Sequence, residues 1–233
     1  MKYNKRILSD WLSATLQTSR KCGRYMYHPS NYIAVEQKMN VNYREGTKGD
    51  YHRIAELDYI ASDGAVEYLF HDLIPGLSAL QLLSNGLEQD EYPHTFRSCI
   101  VAESRQEIVG MALSYPAEYH RITDELVNFL PADRLERFCE FYSSRVEGSY
   151  FLDAMSVEEK YRGLGIGKAL LEKTKAKASI EGYVELSLIV FADNTRAITL
   201  YEHSGFRRVK NVELEPHHLI PHEGGCILMN CPL

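Results

Sequence analysis

The sequence predicts an α/β domain built on one mixed sheet. Three observations carry this. From residue 40 onward, strand-like and helix-like runs follow the order β-α-α-β-β, a polar helix-prone stretch, then β-α-β-α-β-β. No segment repeats, so a uniform βαβ array is excluded. A glycine-rich run, Tyr161-Arg-Gly-Leu-Gly-Ile-Gly-Lys168, joins a strand to a helix late in the chain.

Each element has its own signal. Asn40–Arg44 alternates like a first strand. Thr47 with Asp50 three residues on marks a helix start, and Ile54, Leu57, Ile60 and Ala61 form its apolar stripe. Leu77–Leu87 reads as a second helix. Phe96–Ala102 and Glu107–Ser114 flank Glu103-Ser-Arg-Gln, a hairpin signal. Residues 116–148 read as an insertion over one face. Tyr150–Val157 is a strand and Gly165–Ile180 a helix stopped by Gly182. Val184–Phe191 is a strand with Leu186, Leu188 and Val190 on one side. Asn194–Ser204 is a helix, capped by Asn194 and closed by Gly205. Phe206–Leu214 and Cys226–Cys231 are the last strands.

Composition narrows the function. The chain has 233 residues, 45% apolar and 25% charged, which suits one large domain or one domain with an appendage. No apolar run approaches the ~18 residues of a membrane span, and no secretory apolar core opens the chain. Five cysteines without a Cys-x-x-Cys pair are no disulfide framework and fit a reducing, cytoplasmic setting. Residues 1–38 carry a net charge of +5 and the remainder −11. So acidic a body is ill suited to a nucleic-acid backbone and weakly favours a cationic or amine substrate.

Residues 1–38 read as an appendage, probed by Ile7, Leu8, Trp11, Leu12 and Leu16 at roughly helical spacing. A packing helix, an upstream extension and a targeting segment all fit, although Asp10 argues against the last. The domain proper is expected over 39–233.

Glycines at a strand–helix joint let backbone N–H groups approach an anion, and the helix dipole favours negative charge there. A P-loop is excluded, since Gly167-Lys168 is followed by Ala169 and not by Ser or Thr. A dinucleotide fingerprint needs Gly-x-Gly-x-x-Gly; Gly163-x-Gly165-x-Gly167 is one residue short and sits four residues past its strand. Glu185 mimics the ribose-binding acid only in spacing.

Arg162-Gly-Leu-Gly165-Ile-Gly167 fits Arg/Gln-x-x-Gly-x-Gly/Ala. Met155-Ser-Val157 precedes it, and Asp193-Asn194 and Ala197-Ile-Thr-Leu-Tyr201-Glu-His-Ser-Gly205-Phe206 follow. These pieces together resemble the GNAT superfamily of acyl-CoA-dependent N-acetyltransferases. The resemblance covers about 150–210 and extends weakly to 40–233. It implies a GNAT-like mixed, mostly antiparallel central sheet flanked by helices, with a pantetheine slot between two splayed parallel strands.

It also implies roles. The backbone of Met155 and Val157 would bond the pantetheine arm like an added strand. Amides of Gly163, Leu164, Gly165, Ile166, Gly167 and Lys168, with Arg162 beside them, would surround the pyrophosphate. Asn194 would cap its helix and face the arm, and Tyr201 would protonate the leaving thiolate. Acetyl-CoA is the co-substrate, and no metal is required. For Met155, Val157 and Tyr201 a plain core role is the competing reading.

The general base stays open. Asp153, two residues before Met155, is expected on the same strand face. Tyr115, Glu118, His217, His218, His222, Glu223 and a water chain are the others. His217-His-x-x-x-His222 is a poor metal spacing, in a Pro-flanked loop. Segments 77–95 and 116–148 are expected to roof the acceptor side.

The activity implied is transfer of an acetyl group from acetyl-CoA to a primary amine, by direct attack in a ternary complex. The partners expected are a small-molecule or peptide amine acceptor, with no nucleic acid and no membrane; a homodimer is compatible. A longer acyl donor, a protein or peptide acceptor, and a non-catalytic acyl-CoA-binding regulatory module are the alternatives.

Overall fold

The computed structural model describes residues 40–233. The expected appendage helix near residues 7–16 lies outside the described residues.

Strand β1, Asn42–Glu45, opens the chain's sheet. Thr47 then turns it: its amide and hydroxyl both donate to Asp50 Oδ2 at 2.7 Å. This box leads into helix α1, Tyr51–Ala61, which buries Ile54, Ala55, Leu57 and Asp58. Ile60, expected on the stripe, is 46% exposed. Neighbours on a helix face lie three and four apart, so the inward row is 54, 57, 58 and 61, and Ile60 falls off it. Helix α2, Ala65–Phe70, was not expected; at six residues it is too short to show a period. Helix α3, Ala79–Gln89, starts from a capping box between Ser78 and Gln81.

Strands β2, Cys99–Ser104, and β3, Glu107–Pro116, form the hairpin. Its two-residue turn puts Arg105 and Gln106 at φ 52° and 68°, the left-handed geometry that matches strand twist. The expected insertion folds as three short helices, α4 (Asp124–Phe129), α5 (Ala132–Arg137) and α6 (Cys139–Ser143). The remaining order is strand β4 (Tyr150–Val157), helix α7 (Ile166–Ile180), strand β5 (Glu185–Phe191), helix α8 (Thr195–His203), and strands β6 (Arg207–Val212) and β7 (Cys226–Pro232).

The seven strands lie in the order β1-β2-β3-β4-β5-β7-β6. Only β4 and β5 run parallel; every other pair is antiparallel. Helices α7 and α8 cover one face through Leu170, Leu171, Ile198 and Tyr201. The other face carries α1 and α3 over β2–β4, with Ile54, Leu57 and Leu87 in the core. Beside them α2 and the insertion cover β5–β7 through Leu69, Leu135 and Phe138. Each such fully buried side chain contributes about 1.5–3 kcal/mol by leaving water. Among the described residues, no helix is long and apolar enough to cross a membrane.

Candidate active site

β4 and β5 pair only at their beginnings. Tyr150 faces Leu186, Phe151 faces Ser187 and Leu152 faces Leu188, and there the parallel ladder stops. Beyond it β5 stays paired with β7 as far as Phe191, and β4 with β3 as far as Val157. The strands therefore part, and the β5-facing edge of residues 153–157 is left without a strand partner. Glu158 N–H donates to Val109 O at 2.9 Å, toward β3. Alternation then turns the N–H and C=O of Val157 and Met155 the other way, into the gap. Such a gap accepts an extended chain bearing its own amides. Arg162 has already engaged one of these groups: its Nε donates to Val157 O at 2.8 Å.

The glycine loop lies at the open end of this gap. Gly163 and Gly165 adopt φ 80° and 82°, which an L side chain resists, and Gly165 is the residue just ahead of α7. A Cβ at either position would meet nothing within 4 Å, so conformation and not crowding calls for glycine. The first bond of the helix is Ala169 N–H to Gly165 O at 3.0 Å. Among the described residues, the N–H groups of Gly163, Leu164, Gly165, Ile166, Gly167 and Lys168 have no protein acceptor. Six such donors at a helix N-terminus fit a pyrophosphate.

On the α7–α8 side, Asn194 Oδ1 accepts from Ala197 N–H at 3.1 Å and caps α8. Tyr201 lies two turns on, buried against Phe206 at a ring separation of 5.6 Å. Burial alone pushes its phenol up to about 12, so it stays protonated. Its hydroxyl makes no hydrogen bond among the described residues.

β4 carries a bulge. Leu113 faces Ala154 but Ser114 faces Leu152, so Asp153 has no opposite number on β3. The extra residue flips the strand. Tyr150 and Leu152, then Met155 and Val157, pack toward α7, whereas Phe151 and Ala154 pack toward α1. The expectation that Asp153 shares a face with Met155 is thereby corrected: period-two alternation does not survive a bulge. Asp153 lies on the α1 side. Its Oδ1 accepts from Tyr115 OH at 2.8 Å, and its Oδ2 meets His94 Nε2 at 3.2 Å. Burial works against its charge, but the His94 bond and charge outweigh it and hold the carboxyl below its ordinary range. Burial likewise opposes charge on His94, and the Asp153 bond and charge prevail, raising the imidazole above its ordinary value. His94 is 54% exposed on its side chain, so protons exchange there with solvent.

Two further groups stand near. Asp58 of α1 is held beside β4, because Ser156 Oγ donates to Leu57 O at 2.7 Å. Burial, and then the Asp153 charge, push its carboxyl up to about 7. His120, after β3, packs its ring on Phe151 at 4.2 Å. Sequence reading missed His94, Asp58 and His120. Only Asp58 left a signal: a carboxylate on an apolar helical row.

The other candidate bases lie elsewhere. Glu118 and Glu223 are exposed. The rings of His217 and His218 lie 4.2 Å apart, tilted by 37° to each other. His222 stacks on Phe191 at 3.8 Å and meets Asp193 Oδ1 at 2.6 Å and Asp63 Oδ2 at 2.9 Å. That histidine ties the β6–β7 loop to the ends of α1 and β5.

A family model described as the acetyltransferase (GNAT) family matches residues 66–206. An N-acetylaspartate synthetase of Xenopus tropicalis is 41% identical over 70 residues, 30% of this chain and 25% of that protein. A mycothiol acetyltransferase of Jonesia denitrificans is 44% identical over 55 residues, 24% of this chain and 18% of that protein. The chain thus matches a quarter or less of the length of these two relatives. A solved structure described as an acetyltransferase aligns at TM-score 0.59 and 26% identity, over 82% of this chain and 98% of that one. An N-acetyltransferase from Staphylococcus aureus Mu50 shares the fold at TM-score 0.60 and 19% identity, over 82% of this chain and all of that one.

Proposed function

We propose that this chain, which belongs to the acetyltransferase (GNAT) family, moves the acetyl group of acetyl-CoA onto a primary amine by direct attack. The parting of β4 from β5 after Leu152 and Leu188, opening onto the free amides of the glycine loop, carries this reading. Met155 and Val157 offer backbone groups to the pantetheine arm, with the Val157 carbonyl shared with Arg162. Residues 163–168 receive the pyrophosphate, and Asn194 borders the arm from α8.

The chemistry divides between the two faces of the sheet. On the α1 side, Asp153 holds His94 through Nε2, which fixes that nitrogen as the N–H and leaves Nδ1 as the proton acceptor. His94 takes a proton from the attacking ammonium. The amine nitrogen then forms a bond to the acetyl carbon as the bond from that carbon to sulfur breaks, and the second proton that the nitrogen sheds returns through solvent to restore Tyr201. On the α8 side, Tyr201 gives its proton to the departing thiolate. The net products are an amide, free CoA thiol and a proton. No cysteine is needed as a nucleophile.

Thiol release measured with amine and acetyl-CoA together tests the reading. Amine-dependent release supports an enzyme. Tight binding of acetyl-CoA without release from any amine favours a regulatory module, and absence of binding removes the reading altogether.

A further inference from the structure

Asp153 has two carboxylate oxygens, and each serves a different neighbour. Oδ1 accepts from Tyr115 OH at 2.8 Å, and Oδ2 meets His94 Nε2 at 3.2 Å. The two neighbours also meet each other. Tyr115 OH lies 3.5 Å from that same Nε2, and the two rings stand edge to face with centroids 5.5 Å apart. Phenol, carboxylate and imidazole therefore close a triangle.

The triangle fixes where the protons lie. A phenol has one proton, and an ionised carboxylate can only accept, so Asp153 takes it. What Tyr115 turns toward His94 is then a lone pair, and Asp153 Oδ2 offers lone pairs as well. A bare nitrogen between them would be repelled, so Nε2 carries the N–H and Nδ1 is left to accept a proton. Tyr115 acts from a rigid place. It is 2% exposed, and its ring lies 5.9 Å from that of Phe151. Burial, and then the Asp153 charge, push its phenol well above its ordinary range, so it keeps its proton.

The same bond tempers the carboxylate. Charge drawn toward the phenol is charge withheld from the imidazolium of His94. The other titratable groups bearing on the trio are Asp58 of α1, Tyr142 of α6 and His120 after β3. Asp58 favours charge on His94, as Asp153 does. His120 has Nε2 3.0 Å from Phe141 O and an unpartnered, buried Nδ1. Replacing Tyr115 by Phe changes none of these three and keeps the ring.

We propose that Tyr115 is a positioning residue of the proton relay: by holding Asp153 and turning its own oxygen to Nε2, it fixes the tautomer of His94 and keeps that imidazole neutral at a lower pH than Asp153 alone would allow. The inference rests on the acetyl-transfer reading and adds the control of its pH range.

The test is an NMR titration of the His94 ring in the folded protein without substrate, with its signal assigned by His94→Gln. Beside it stand pH–rate profiles with acetyl-CoA and n-butylamine, 1,4-diaminobutane or an alanine-terminated peptide. In the parent, the ring nitrogen shifts above the midpoint are expected to report the Nε2–H form, a reading that needs no variant. In Tyr115→Phe the midpoint is expected to rise by about 0.5–1 pH unit, and the step in rate with it. Above that step kcat is expected to fall about 3- to 10-fold as the imidazole loses its fixed orientation, with acetyl-CoA affinity unchanged. Asp153→Asn is expected to lower the midpoint, and adding Tyr115→Phe to it should move the midpoint no further, because the phenol acts through that carboxylate. A phenol with a packing role only would lower the melting temperature and leave the midpoint in place. A midpoint that stays or falls in Tyr115→Phe, or an Nδ1–H form in the parent, overturns the proposal, while amine-dependent thiol release by the parent keeps acetyl transfer standing. Failure of the parent to bind acetyl-CoA, or to release thiol with any of these amines, overturns the underlying reading and the relay with it.

Discussion

Tyr115 donates its phenolic proton to Oδ1 of Asp153 at 2.8 Å across strands β3 and β4. The carboxylate is thus held from one side by a strand neighbour and from the other by His94, at 3.2 Å. It exists in this position because Asp153 is the surplus residue of a bulge. The bulge also lies next to the point where β4 and β5 separate, so one local irregularity sits at the start of the gap and turns a carboxylate to the α1 face of the sheet.

Asp153→Asn should lower kcat by about 100-fold or more, as expected for a general base that loses its orienting partner. The pH profile gives a sharper signature. His94 has its affinity for protons raised by Asp153, and it must be neutral to act. The rate should therefore rise with pH through a value above the ordinary ~6.5 of histidine. In Asp153→Asn that step should move downward. Rate profiles of both proteins, with one amine, decide this; an unmoved step would remove His94 from the role.

Tyr201→Phe should cost about 100-fold or more in kcat and nothing in acetyl-CoA affinity. The fold should be indifferent, since the hydroxyl has no partner among the described residues and its removal leaves none unpaired. Thiol-release kinetics beside a thermal melt check both halves. Activity equal to the parent would leave Tyr201 as a core aromatic.

Gly165→Ala should strain the loop, because φ is 82° there. The expected penalty is about 1–2 kcal/mol, met either as lost stability or as a shifted loop with weaker acetyl-CoA binding. Gly167 is not in that region, so Gly167→Ala should be milder in stability; its Cβ would meet Leu200 at 3.7 Å, an ordinary contact. Melting curves and titrations of the two variants separate strain from space.

His222→Ala should act on stability. The ring stacks on Phe191 and bonds Asp193, so its loss is expected to cost about 1–3 kcal/mol. kcat should stay within a few-fold of the parent. A loss of turnover at unchanged melting temperature would return the β6–β7 loop to the list of candidate bases.

Much of the site was readable because it is written in backbone. Gly163 and Gly165 announce left-handed φ, Asn194 announces a cap, and Gly205 closes α8 with Phe206 N–H returning to Tyr201 O at 3.0 Å. Strands β4 and β5 and helices α7 and α8 are local patterns and fell within a residue or two of their expected ends. What was not readable depends on register and on distance. The bulge at Asp153 shows only when β3 and β4 are paired, and it turns the carboxylate to the face opposite to simple alternation. His94 and Asp153 are 59 positions apart, and only folding brings them together. His120 gives no sign in sequence that one nitrogen would be bonded and the other bare. Asp58 shares the helical row of Ile54 and Leu57, so its burial follows from spacing alone.

The central claim is that the gap between β4 and β5 receives an acyl-CoA. Calorimetric titration of the protein with acetyl-CoA tests it most directly, repeated with Gly165→Ala and with free thiol followed after addition of an amine. The expected result is one-to-one binding, weakened by the glycine substitution, with thiol released only when amine is present. Absence of binding by the folded parent protein would contradict the account, and with it every role assigned to the glycine loop, Tyr201 and His94.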